Sequence, residues 1–336
     1  MAIGAVALSY LERYAATMPI RLKAAAEIGN WMKERMSDLG VACDSVSARA
    51  KDIGSARGKV RRKQYCRPNA QMTDAIGVRV VLLFETEIAT AVDYLRSALQ
   101  VNERHSRTAG IELALPEFGY RSVHLVARWR GRTMPSYFSL GRPWVEVQVR
   151  SLLQHAWAAT GHDHLYKGAL VYPDKVKRRF FAIAGSLELF DQEFSAIRAY
   201  RAQAHTDWLE AFRNGKRMAE KFDIAGLEAF FVHAFPNSPW SDLPRQRPVY
   251  PQREVALMSC LQRAGLVTAR DVRSVVRKRG FRRQLNTYAS LLGTSPSDVP
   301  NFTKVILAIN QKRPLLLSRE YGELIEDLRL RAVIAL

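Results

Sequence analysis

Three short runs with strand alternation lie between residues 70 and 168, inside the phrases TDAIGVRVV, FGYRSVHLV and WVEVQVRSLLQHAWAATGHDHLYKG. Their β-branched residues recur with a period of two, which demands a sheet with one face buried. IGVRVVLLF at residues 76–84 reads as a strand. TEIATAVDYLRSAL reads as the helix after it, starting near Glu85 or Thr86. Tyr120 to Trp129 and Trp144 to Arg150 read as two further strands, separated by a loop with Gly131, Pro135, Gly141 and Pro143. The sheet therefore has at least three strands.

Helical patterns flank it. Leu8, Leu11, Tyr14, Met18, Ile28, Trp31 and Met32 recur at helical spacing, predicting one or two leading helices over residues 8–38. From Asp174 to about Lys221 apolar residues stay three and four apart without a proline. That predicts one long helix or a pair, packed back on the sheet. Five prolines between Pro236 and Pro251 mark a linker or boundary. Helical stripes resume after it, with Thr or Ser before Asp in GLVTARDV and GTSPSDVP as capping signals. We therefore expect N-terminal helices over 1–45, a central domain over 46–222 and a helical C-terminal domain over 223–336.

The chemistry-bearing residues stand at the edges of these runs. Asp74 and Glu146 each fall in an alternating stretch, where side chains of one strand face project in register, and such a pair can hold a magnesium ion. Just upstream stand Arg49, Lys51, Ser55, Lys59, Arg62 and Lys63, a distribution suited to gripping a polyphosphate. Gly54 and Gly58 make that stretch a poor helix by intrinsic propensity. The ligand these groups fit is a metal-bound nucleoside triphosphate. The net charge of +19, spread over both halves of 336 residues, attracts nucleotides, acidic proteins and RNA alike. Cys43, Cys66 and Cys260 are scattered and lack C-x-x-C spacing, which supports neither a disulfide framework nor a zinc site and fits a reducing cytoplasm. No apolar run reaches the roughly 18 residues of a membrane span.

Five motifs follow one another in fixed order: R-x-K-x-x-x-S-x-x-x-K from Arg49, D-x-x-G-x-R from Asp74, G-Y-R-S-x-H from Gly119, E-x-Q-x-R from Glu146, and H-A-W at His155 with a following Y-K. In this order, over residues 40 to 200, the chain resembles the synthetase domain of RelA/SpoT-type alarmone synthetases, in its small monofunctional or toxic forms. The resemblance implies an α+β fold, a mixed β-sheet flanked by helices in a nucleotidyltransferase-like core, followed by the helical C-terminal domain. It implies an ATP-dependent pyrophosphokinase that moves pyrophosphate to the 3′-hydroxyl of GDP or GTP, making (p)ppGpp. By resemblance Asp74 and Glu146 are the catalytic Mg2+ ligands; a carboxylate next to the attacking oxygen favours alkoxide character, which also suits Glu146 to take the hydroxyl proton. Arg49 and Arg79 stack on adenine, while Lys51, Ser55, Lys59 and Arg62 contact its phosphates. Tyr120 stacks the acceptor base, with Arg121, His124, Gln148, Arg150 and Lys167 around the acceptor.

Alternatives stay open at this point. Where many relatives carry acidic residues after H-A-W, this chain has Ala159 and Gly161, and LPEF precedes Gly119. Toxic members of the family modify the 3′ end of tRNA, and others use adenosine nucleotides. An inactive synthetase fold binding nucleotide or RNA is a third reading. His155, His162, Asp163 and His164 invite a metal site, but the family's hydrolases use a separate helical domain ahead of the synthetase, so breakdown activity is not expected. The C-terminal domain is open to RNA, through RSVVRKRGFRR at residues 273–283, to a neutralising partner protein, or to homo-oligomer contacts.

Overall fold

The computed structural model describes residues 4–107, 122–131, 133–161, 173–234 and 252–277. It divides into two compact units, residues 1–196 and 197–336.

The first unit is built on a five-stranded mixed sheet flanked by helices. The leading helices are α1 (Ala5–Ala16) and α2 (Met18–Asp38). They are followed by β1 (Cys43–Ala50), α3 (Ile53–Lys63), α4 (Pro68–Gln71), β2 (Ile76–Leu82), α5 (Thr86–Ala98) and β3 (Gln100–Val101). Then come β4 (Val123–Arg128), α6 (Pro135–Ser139), β5 (Val145–Ser151) and α7 (Leu152–Gly161). The strand order is β1-β2-β5-β4-β3. Among the described strands the β2–β5 pair alone is parallel, and the other three pairs are antiparallel.

Period-two alternation divides the sheet into two faces. Ile76, Val78, Val80 and Leu82 of β2 and Val145, Val147 and Val149 of β5 are buried against Ile28, Met32 and Met36 of α2 and Ala91, Val92 and Leu95 of α5. Each fully buried Val, Leu, Ile or Met side chain there contributes about 1.5–3 kcal/mol, which holds the register against a one-residue slip. The opposite face carries Arg49, Gly77, Arg79, Glu146, Gln148 and His124. A smaller cluster, Tyr10, Leu11 and Tyr14 against Ala56, Val60, Met72 and Ala75, clamps α1 onto α3 and the turn before β2.

The sequence reading differs from the fold at several elements. CDSVSARA forms β1, although it lacks a β-branched run. It is an edge strand, and its order comes from pairing with β2 rather than from its own propensity. The two-residue β3 is too short to leave a pattern. The Gly/Pro loop before β5 contains α6, whose first turn is preset by Pro135. The stretch of Gly54 and Gly58 is helical after all, for the capping reason given below.

Helix α8 (Asp174–Arg213) is continuous over 40 residues, as the proline-free pattern predicts. Within the first unit it meets the end of β5, where Ser151 Oγ donates to the buried Asp191 carboxylate. Val176, Ile183, Leu189, Phe190 and Phe194 of the same stretch are exposed.

In the second unit the end of α8 joins α9 (Ile224–Ala234), α10 (Gln252–Arg263) and α11 (Ala269–Val276). Trp208, Phe212, Phe222, Phe230 and Phe231 form its core with Leu261, Leu266 and Val272. Thr268 and Asp271 form the capping box read from GLVTARDV, while GTSPSDVP lies outside the described residues. Gly226 faces Trp208 so closely that a Cβ there would meet the indole at 2.6 Å. Gly226→Ala is therefore expected to destabilise this unit by about 1–3 kcal/mol through overpacking, read as a lower midpoint in urea or heat.

Candidate functional site

The site starts at α3. Asp52 caps the helix, its Oδ1 accepting from the Ser55 backbone N–H at 2.8 Å. Buried Ala56 and Val60 add packing on the α1 side. Together these offset the glycine penalty, and a Cβ at Gly54 would meet the capping oxygen at 3.2 Å. Ser55, Lys59 and Arg62 then fall on one face of the helix, in line with Lys51 just ahead of it.

That face meets Asp74. Lys59 Nζ stands 2.6 Å and Lys51 Nζ 3.2 Å from Asp74 Oδ2. Asp74 Oδ1 is buried, and no hydrogen bond from the described residues reaches it. The position differs from the sequence reading, which puts Asp74 in the strand. It lies in the turn before β2, since the ladder begins at Ile76 opposite Ala50 and Val145. Leaving the ladder frees the carboxylate to reach the lysines. Gly77 takes the ladder position beside Glu146.

Glu146, near the start of β5, is held from both sides. His124 Nδ1 lies 3.3 Å from its Oε1 and Gln148 Nε2 donates to its Oε2 at 3.1 Å. Ser122 Oγ lies 2.8 Å from His124 Nε2. The Nδ1–H tautomer satisfies both contacts, with Nε2 accepting from the serine. The His124 hydrogen bond holds the Glu146 carboxyl below its usual range, outweighing the burial that pushes it up. Gln148 Oε1 in turn accepts from Arg150 Nη2 at 2.6 Å. Burial, then Arg79, lowers the Arg150 guanidinium to about 10, so it stays charged at neutral pH.

Asp74 and Glu146 line one cleft, whose walls also include Ser47, Arg49, Lys51, Arg79 and Gln148 and whose floor is Gly77. The β1–β2 register puts Arg49 opposite Gly77, and the β2–β5 register puts Glu146 on its other side. The missing side chain of Gly77 is what leaves the floor open. Burial and then Arg49 lower the Arg79 guanidinium. Two carboxylates, one with an unpartnered buried oxygen among the described residues, fit magnesium, which takes one or two carboxylates and completes its shell with phosphate and water oxygens.

Residues 48–170 match the family described as a region found in RelA / SpoT proteins. The match spans a little over a third of the chain and includes every cleft residue except Ser47. The GTP pyrophosphokinase YjbM of Bacillus subtilis (strain 168) is 29% identical over 179 residues, covering 52% of this chain and 80% of that protein. Among solved structures, small alarmone synthetase 1 from Bacillus subtilis shares 26% identity, with 57% of this chain and 97% of that chain covered and a TM-score of 0.46. A GTP pyrophosphokinase family protein from Streptococcus pneumoniae shares 23%, with 57% and 92% covered and a TM-score of 0.44.

Within the matched segment the fold gathers Arg49, Lys51, Asp74, Arg79, Glu146 and Gln148 around the cleft. Lys59 joins through Asp74 and His124 through Glu146. Ser55 and Arg62 are exposed on α3, and Arg150 is buried behind Gln148. Trp157 packs on the Phe180 ring, and burial lowers the His155 imidazole. Tyr120, Arg121 and Lys167 lie outside the described residues, as do His162, Asp163, His164, Tyr166 and the basic run from Lys278 onward.

Tyr14 is a residue of the site that the sequence does not signal, because it looks like any apolar helix position. Its hydroxyl donates to the carbonyls of Lys51 at 2.8 Å and Ala75 at 3.2 Å. It thereby ties together the two segments that carry Lys51 and Asp74. Gly77 and Ser122 fall inside the motifs, but nothing in the sequence marks Gly77 as the cleft floor or Ser122 as the partner of His124.

Proposed function

We propose that this protein transfers the β,γ-pyrophosphate of ATP to the 3′-hydroxyl of GDP or GTP, making guanosine tetra- or pentaphosphate. The observation that carries this reading is the shared cleft. Asp74 and Glu146, distant in sequence, face one space beside Lys51, Arg49 and Arg79. The name of the Bacillus subtilis relative, a GTP pyrophosphokinase, supports the same activity.

The chemistry needs positioning and charge neutralisation more than covalent help. Arg49 and Arg79 offer planar guanidinium groups suited to stacking on adenine. Lys51 and Lys59 turn from Asp74 toward the triphosphate, with Ser55 and Arg62 continuing the same helix face. Asp74 and Glu146 would hold magnesium, which when bound neutralises phosphate oxygens and draws electron density from the β-phosphorus. The acceptor 3′-oxygen attacks that phosphorus, its bond to the α,β-bridging oxygen breaks, and AMP leaves. The hydroxyl proton passes to Glu146, whose orientation His124 and Gln148 fix.

A second acceptor, the 3′ end of tRNA, is favoured by the net charge of +19. Purified protein incubated with γ-labelled ATP and, separately, GDP, GTP, ATP and bulk tRNA, with and without Mg2+, tests both. We expect label in GDP and GTP only when Mg2+ is present. Label in tRNA alone selects the second acceptor, and label in no acceptor overturns pyrophosphate transfer.

A further inference from the structure

Arg150 shares a face of β5 with Glu146 and Gln148, yet it is buried where those two are only partly so. A cation buried this deeply is poorly placed to greet an acceptor. Its Nη2 donates to Gln148 Oε1 at 2.6 Å, and Gln148 Nε2 donates to Glu146 Oε2 at 3.1 Å. A side-chain amide is otherwise free to flip. Here a flip would set the NH2 against guanidinium donors and the carbonyl oxygen against a carboxylate, so both contacts would turn repulsive.

We propose that Arg150 is a positioning residue for Glu146, acting through Gln148, and not a contact to the acceptor. The inference rests on the pyrophosphate-transfer reading for its effect on rate, but its geometry stands without it. Burying a cation against a neutral amide costs free energy relative to an apolar side chain. The core face of β5 buries Val145, Val147 and Val149, whereas Arg150 is a cation buried on the cleft face. Arg150 fixes one oxygen of Glu146 while His124 fixes the other. Lysine would reproduce the charge but not the planar guanidinium whose Nη2 meets the amide oxygen.

The test compares R150M, R150K, Q148A and the double variant R150M/Q148A. R150M is expected to lower kcat about 10–100-fold, the size seen when a group orienting an active-site ligand is removed. KM for ATP and for the acceptor should stay within about twofold, and R150M should add less than about twofold in the Q148A background. R150K should recover part of the loss. A rise in acceptor KM with kcat retained, or effects that multiply in the double variant, would overturn the proposal. A readout free of turnover is the Gln148 side-chain amide in isotope-labelled protein, identified by its disappearance in Q148A. Its resonances should move toward those of a solvent-exposed amide and exchange faster in R150M or R150K. Unchanged resonances also overturn the proposal, even if the wild-type protein transfers no pyrophosphate. If R150M does not fold, R150K carries the same measurements.

Discussion

Asp74→Asn is expected to lower kcat for pyrophosphate transfer by about 10³-fold or more while the fold stays intact. The asparagine matches the carboxylate in shape but carries no charge for a divalent cation. Lys51 and Lys59, now 3.2 and 2.6 Å from Asp74 Oδ2, lose their counter-charge at the same time. Both ammonium groups become more available to phosphate, so ATP should bind at least as tightly to the variant when magnesium is chelated. Turnover thus falls while metal-free affinity holds or rises. Titration calorimetry with ATP in chelator, beside a steady-state assay in Mg2+, reads both. Turnover within about tenfold of wild type would remove Asp74 from the proposed machinery.

Gly77→Val is expected to block the nucleotide site without harming the fold. The backbone there is ordinary strand, and a Cβ at Gly77 meets nothing within 4 Å among the described residues. Valine also has the better strand preference, so the melting midpoint should hold or rise. The new side chain would stand on the cleft floor between the positions of Arg49 and Glu146. ATP affinity should fall at least about tenfold, equivalent to about 1.4 kcal/mol. Retained affinity would show that nucleotide does not enter this cleft. A collapsed melting midpoint would instead show that Gly77 is needed for packing.

Much of the fold is legible because its signals are local. β2, β4 and β5 show themselves by alternation, α5 and α8 by helical spacing, and the box at Thr268 and Asp271 by its capping residues. β1 is hard to read, because its alternation of Val46, Ala48 and Ala50 with Ser47 and Arg49 is short and holds one β-branched residue, so the strand depends on pairing with β2. Gly54 and Gly58 mislead about α3, since propensity alone omits the Asp52 cap and the burial of Ala56 and Val60. Tyr14 is hidden for a similar reason. Its role lies in two backbone carbonyls 37 and 61 residues away.

By itself the sequence determined which residue types stand in which motifs, the alternation that gives the sheet a polar face, and the cationic character of that face. Only the tertiary structure decided that Asp74 leaves the strand, that Gly77 sits between Arg49 and Glu146, and that Arg150 is buried behind Gln148. The physical reason is that alternation and helical spacing are written within a few residues, whereas strand order and register arise from pairings between distant segments. The parallel pairing of β2 with β5 is such a pairing, and it brings the two carboxylates to one cleft.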